Sequence, residues 1–122
     1  MTAERRAALE AGGVDVAGAL ERMMGSEALL ERLLGKFLED RNFPALCAAL
    51  DAEDLPGAAA AAHTLKGVCG NLSMTALYGL FARQVEALRA GDLAGARALM
   101  TDIRPALEAA AAAIAGDADA PG

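Results

Sequence analysis

Tryptophan is missing from this chain, and aromatic residues fill only 3% of its 122 positions. Proteins that hold single-stranded nucleic acid stack the bases on aromatic rings, so that function has no platform here. Positive charge is also short. Lys and Arg total 11 against 17 Asp and Glu, a formal net charge of −6. No basic patch is available to neutralise phosphates, which excludes nucleic acid as an expected partner. No apolar run approaches the roughly 18 residues of a membrane span. The opening MTAERRAALEAGG has no continuous apolar core of the signal-peptide kind. The expectation is a cytoplasmic protein without a membrane partner. The two cysteines, Cys47 and Cys69, form no CxxC pair and no Cys/His cluster, so neither a structural zinc site nor any other metal site is expected. Both fall on apolar helical stripes and are expected to be reduced core thiols. A glycine-rich phosphate loop is also lacking, so the chain is not expected to phosphorylate itself from ATP.

Hydrophobic residues make up 55% of the chain. They are mostly Ala and Leu, which are strong helix formers, and proline and β-branched residues are few. The expected class is all-α, and the length suits one domain. Residues 1–14 show no clear period and end in Gly12 and Gly13, so they read as a flexible lead-in. A short helix is expected from about Asp15, its N-cap, to Met24, with Gly25 closing it and Ser26 starting the next. Leu29, Leu30, Leu33, Leu34, Phe37 and Leu38 repeat at the helical period. Past Asp40 the stripe changes phase to Phe43, Leu46, Cys47 and Leu50. Pro44 stands at the change, so a bend or break there is expected.

Asp54 reads as the cap of a helix to about Asn71, with Pro56 in its first turn. Ser73 reads as the cap of the next, whose stripe is Met74, Leu77, Leu80, Phe81, Val85 and Leu88. Gly91 and Asp92 read as a stop and a new cap. The last helix should kink at Pro105. The residues from Gly116 read as a disordered tail, which places the domain at 15–115. Four substantial amphipathic segments on short connections favour a helical bundle.

The segment HTLKGVCGN, residues 63 to 71, holds the single histidine. On the helix 55–71 the apolar stripe runs through Leu55, Ala58, Ala62, Leu65, Cys69 and Leu72. His63 lies roughly 140° from the middle of that stripe, at about 100° per residue, and should face solvent. Its helical neighbours are Ala59, Ala60, Lys66, Gly67 and Gly70. Four of these five have little or no side chain. The ring therefore stands on a bare strip beside one cation, open to the close approach of another protein. The two glycines cost about 1 kcal/mol each in a helix interior relative to alanine, with no packing return on an exposed face. A lone surface histidine can also be no more than a solvated side chain. It is the combination of His, Lys at i+3, Gly at i+4 and small neighbours that singles this one out.

AHTLKGVCGNLSM resembles the phosphoacceptor motif of histidine-containing phosphotransfer (HPt) domains, of the form H-[ST]-L-K-G. LLGKFLEDRNFPALCAAL resembles the preceding helical segment of that family, and VEALRAGDLAGARAL its later helix–GD–helix junction. The resemblance covers roughly residues 15 to 114. It implies an antiparallel four-helix bundle with a short additional N-terminal helix. It also implies that His63 accepts a phosphoryl group from a receiver-domain aspartyl phosphate and passes it to another receiver. Lys66 would offset phosphoryl charge, and Gly67, with Gly70, Ala59 and Ala60, would clear the docking surface. The partners implied are response-regulator receivers, with a hybrid sensor kinase as a further candidate, and the carrier is expected to be a monomer. It would need no cofactor of its own, Mg²⁺ being held by the receiver.

Two positions depart from the pattern. Ten residues after the histidine the family often has Gly, where this chain has Ser73; a Ser N-cap is expected to keep the turn. Some members place a Gln on the following helix near the imidazole. Gln84 is the nearest candidate, but it lies within an apolar stripe, where a buried amide bonded to backbone is the other reading. Two other functions remain to be weighed. A helical adaptor that carries no phosphate would use the same bare strip. A hydrolase with His63 as general base would need an oriented nucleophile, and no triad is in view.

Overall fold

The structure is a computed structural model and describes residues 1–116. Among the described residues seven helices follow one another: α1 (Ala3–Ala11), α2 (Val16–Arg22), α3 (Glu27–Leu38), α4 (Asn42–Asp51), α5 (Leu55–Asn71), α6 (Thr75–Arg89) and α7 (Leu93–Ala115). The caps explain most starts. The side chains of Asp15, Ser26, Asp54 and Asp92 each accept the N–H three residues on, at 3.2, 3.1, 3.0 and 2.8 Å. These carboxylates and the hydroxyl satisfy donors that have no partner within the helix.

The first long segment breaks where its apolar phase changes. Asp40 Oδ1 accepts from the Asn42 backbone N–H and from Asn42 Nδ2, both at 2.7 Å, which starts α4 afresh. Pro44 then falls in the first turn of α4, where its missing N–H costs nothing. In α7, by contrast, the helix continues through Pro105 from Leu93 to Ala115.

Helices α4 and α5, α5 and α6, and α6 and α7 are each joined by the same three-residue connection. Its middle residue is left-handed: Glu53 at φ 56°, Ser73 at φ 55° and Gly91 at φ 77°. In each, the N–H of the following residue reaches back five positions to a helix carbonyl, from Asp54 to Ala49, Met74 to Cys69 and Asp92 to Ala87, at 2.9, 2.8 and 2.8 Å. A connection this tight turns the chain back on itself, so successive helices pack as antiparallel neighbours. Helix α3 packs against α7 and closes the bundle. The core holds Leu30, Leu34, Leu46, Leu65, Phe81 and Ile103, all buried. No described helix is long and apolar enough to cross a membrane.

Two expectations about the chain's course are corrected. Residues 1–14 are not a structureless lead-in. Thr2 caps α1 by accepting the Arg5 N–H at 3.0 Å, and Leu9 and Val14 are buried. Arg5 clamps the helix down: it bonds Glu31 at 2.8 and 3.1 Å and the Ala113 carbonyl at 2.8 Å. The Arg5 guanidinium holds the Glu31 carboxyl below its ordinary range. Ser73 is not the N-cap of α6. That position belongs to Met74, which makes no side-chain cap bond. Ser73 instead occupies the left-handed position that Gly91 fills in the next turn. The expected tail at 116–122 lies outside the described residues, apart from Gly116, which ends α7 at φ 82°.

Candidate functional site

Helix α5 carries the site. Its alanine run favours helix, and Asp54 fixes its start. Ala58, Ala61, Ala62, Leu65 and Cys69 are buried, while Ala60, His63, Thr64, Gly67 and Asn71 are exposed. His63 therefore points to solvent, as its position on the helical wheel predicts. Thr64 Oγ1 donates to the Ala60 carbonyl at 3.1 Å, which turns its hydroxyl back onto the helix. Lys66 is half-buried one turn from His63 and makes no ion pair among the described residues. A Cβ built on Gly67 meets nothing within 4 Å. The space in front of it is open.

The two flanks of this strip differ. On one side the Tyr78 ring of α6 lies over Gly70, where a Cβ would meet ring carbons at 3.0 and 3.2 Å. The missing side chain of Gly70 thus admits Tyr78 within the fold, and of the four small residues expected to clear the docking surface Gly70 is partly covered by that ring. Ala59 is also half-buried against the core, so the clear surface beside His63 is Ala60 and Gly67. On the other side, a cleft of about 190 Å³ separates α5 from the end of α3, lined by Lys36, Phe37, Asp40, Val68 and Asn71 among others.

Gln84 does not join this site. It is fully buried, and its Nε2 donates to the Ala96 carbonyl at 3.0 Å and to Met100 Sδ at 3.3 Å. It ties α6 to α7, the buried-amide reading. Cys69 lies on the buried side of α5. Burial, reinforced by the negative charge of Asp40, pushes its thiol up to about 12, so at neutral pH it is not a nucleophile. Cys47 departs from expectation. It is only half-buried, with Arg104 Nη2 at 3.5 Å from Sγ, because it sits at the edge of the α4 stripe rather than in its centre. Among the described residues no cluster of three or more His, Cys, Asp or Glu could hold a metal ion.

A protein-family model, the Hpt domain, matches residues 29–115, well over half of the chain. The chain belongs to the Hpt domain family. Hpt domains are helical phosphotransfer carriers of two-component signalling, and the all-helical bundle described above accords with that. Neither the curated proteins nor the solved structures include a significant match. The match begins within α3, so α1 and α2 lie outside it, although Arg5 of α1 bonds Glu31 and the Ala113 carbonyl within it.

Proposed function

We propose that His63 of this Hpt domain accepts a phosphoryl group from the aspartyl phosphate of a receiver domain and returns it to another receiver. The observation that carries the reading is the exposed α5 strip, with His63 in solvent, Lys66 one turn on, and open space at Gly67. An imidazole nitrogen attacks phosphorus. An N–P bond forms as the acyl P–O bond breaks, and the electron pair leaves on the receiver's carboxylate. The ring's N–H proton passes to solvent. Transfer of this kind depends on in-line positioning and charge neutralisation more than on covalent machinery. Lys66 supplies positive charge on the carrier's side, and the partner receiver supplies Mg²⁺. Ala60 and Gly67 let the receiver bring its phosphoaspartate up to the ring. The carrier works as a cytoplasmic monomer with no cofactor of its own, taking its phosphoryl group from a receiver rather than from ATP.

Incubation with a panel of phosphorylated receivers tests the reading. Label should move to the chain from at least one receiver, and back to an unphosphorylated receiver added in excess. Binding of receivers with no uptake of label from any of them would instead make the chain a helical adaptor.

A further inference from the structure

Among the described residues four large hydrophobic side chains are exposed: Met1, Met24, Leu38 and Tyr78. Only Tyr78 belongs to α5 or α6. Its ring, 44% exposed, lies over Gly70, where the absent side chain gives it a seat. Gly70 stands seven residues beyond His63. At about 100° per residue that returns it to within about 20° of the histidine, and the rise between them is about 10 Å at 1.5 Å per residue. The one tyrosine of the chain therefore borders the same face of α5 that presents His63.

Arg22, at the end of α2, meets that border. Its Nη1 donates to the Gly70 carbonyl, and with Tyr78 it lines a cleft of about 320 Å³. The guanidinium is exposed and makes no ion pair among the described residues, and no acidic side chain lines the cleft. Its other N–H groups keep their donor capacity. Arg22 also lies outside residues 29–115, which match the family model.

A partner docked on His63 reaches this border. A specific interface buries about 800 Å² on each partner, a patch roughly 16 Å in radius if circular, and the Tyr78 ring rests on a position only about 10 Å along the helix from His63. Tyrosine and arginine are among the residue types that most often carry the binding energy of an interface. Both are already held, one on Gly70 and the other at its carbonyl, so less side-chain freedom is lost when a partner binds. We propose, on the phosphotransfer reading above, that Tyr78 and Arg22 form a specificity-determining flank of the receiver docking surface. Tyr78 packs against the receiver, and Arg22 pairs with a receiver carboxylate.

The test uses the full chain and a phosphorylated receiver that labels it. Transfer is followed at rising chain concentration, which separates the half-saturating concentration from the maximal rate. Tyr78→Ala should raise the half-saturating concentration roughly tenfold, as truncation of an interface tyrosine does. The maximal rate should not change, because His63, Lys66 and Gly67 are untouched. Tyr78→Phe, which keeps the ring, should stay near the parent's value. Arg22→Gln should raise the half-saturating concentration several-fold and flatten its dependence on sodium chloride, which a merely structural role would leave alone. Half-saturating concentrations unchanged in both Tyr78→Ala and Arg22→Gln would overturn the proposal and leave phosphotransfer standing. So would a fall in maximal rate alone. If no receiver labels the parent chain, the phosphotransfer reading fails and the docking flank fails with it.

Discussion

On one side of α5, Ala58, Ala62, Leu65 and Cys69 are sealed against α4 and α6; on the other, Ala60, His63 and Gly67 stand open to solvent. Small residues serve both sides for different reasons. Inside, alanine lets neighbouring helices approach closely and keeps the core dense. Outside, the same smallness clears the ground around one imidazole. Gly67 and Gly70 repeat the contrast three residues apart. A side chain at Gly67 would enter open space, whereas one at Gly70 would press on the Tyr78 ring. A stripe of small residues therefore does not by itself mark a docking face. What covers each position decides.

The contrast is broken most severely from the buried side. Leu65→Ala empties a site that is 1% exposed and should cost about 2–5 kcal/mol of stability, a large share of the roughly 5–15 kcal/mol a domain of this kind has. Denaturant unfolding measures it. Phosphotransfer per folded molecule should stay near the parent's, because Leu65 faces away from His63. A loss below 1 kcal/mol would mean that the buried side is loosely packed.

Filling the open side should have the opposite character. Gly67→Gln should keep the fold yet slow transfer by about 10²-fold, the effect expected of displacing a reacting partner by about 1 Å. Gly67→Ala should stabilise the helix by up to about 1 kcal/mol and slow transfer less. Melting temperature and transfer rate, measured together across Gly, Ala and Gln, check this. A Gln variant as fast as the parent would show that close approach at this position is not needed.

A smaller effect is expected at the α5–α6 turn. Ser73 holds φ 55° with an unpartnered hydroxyl. Ser73→Gly relieves the left-handed backbone, at about 1–2 kcal/mol for an L-residue, and removes the orphaned group. Against this, glycine makes the unfolded chain more flexible, by about 0.5–1 kcal/mol. A net gain of about 1 kcal/mol in denaturant unfolding is expected. Destabilisation would mean that the hydroxyl has a partner, such as a bound water.

Much of this was legible in the sequence because local chemistry determines it. Asp15, Ser26, Asp54 and Asp92 cap helices wherever they precede an apolar repeat. The stripe through Leu65 and Cys69 fixes which way His63 faces. What local pattern does not show depends on neighbours distant in the chain. Helix α1 has one fully buried leucine and no strong period; it is held by Arg5 reaching Glu31 and Ala113, contacts no local pattern shows. Thr2, with Glu4 in the first turn, was the available signal. Ser73 suited an N-cap as well as a turn, and only the shared backbone of the three connections separates these roles. Gln84 could be placed in a buried stripe, but its partners Ala96 and Met100 belong to the next helix. Cys47 lies at the edge of its stripe, to one side of the buried Leu46 and Leu50.

The central claim is that the open side of α5 exists to present His63. Its most direct test is His63→Gln, incubated with a phosphorylated receiver that labels the parent chain. The exposed imidazole bears no packing load, so circular dichroism and melting temperature should match the parent's while labelling falls to background. Labelling of His63→Gln at the parent's rate would contradict the account and place the phosphoryl group on another residue.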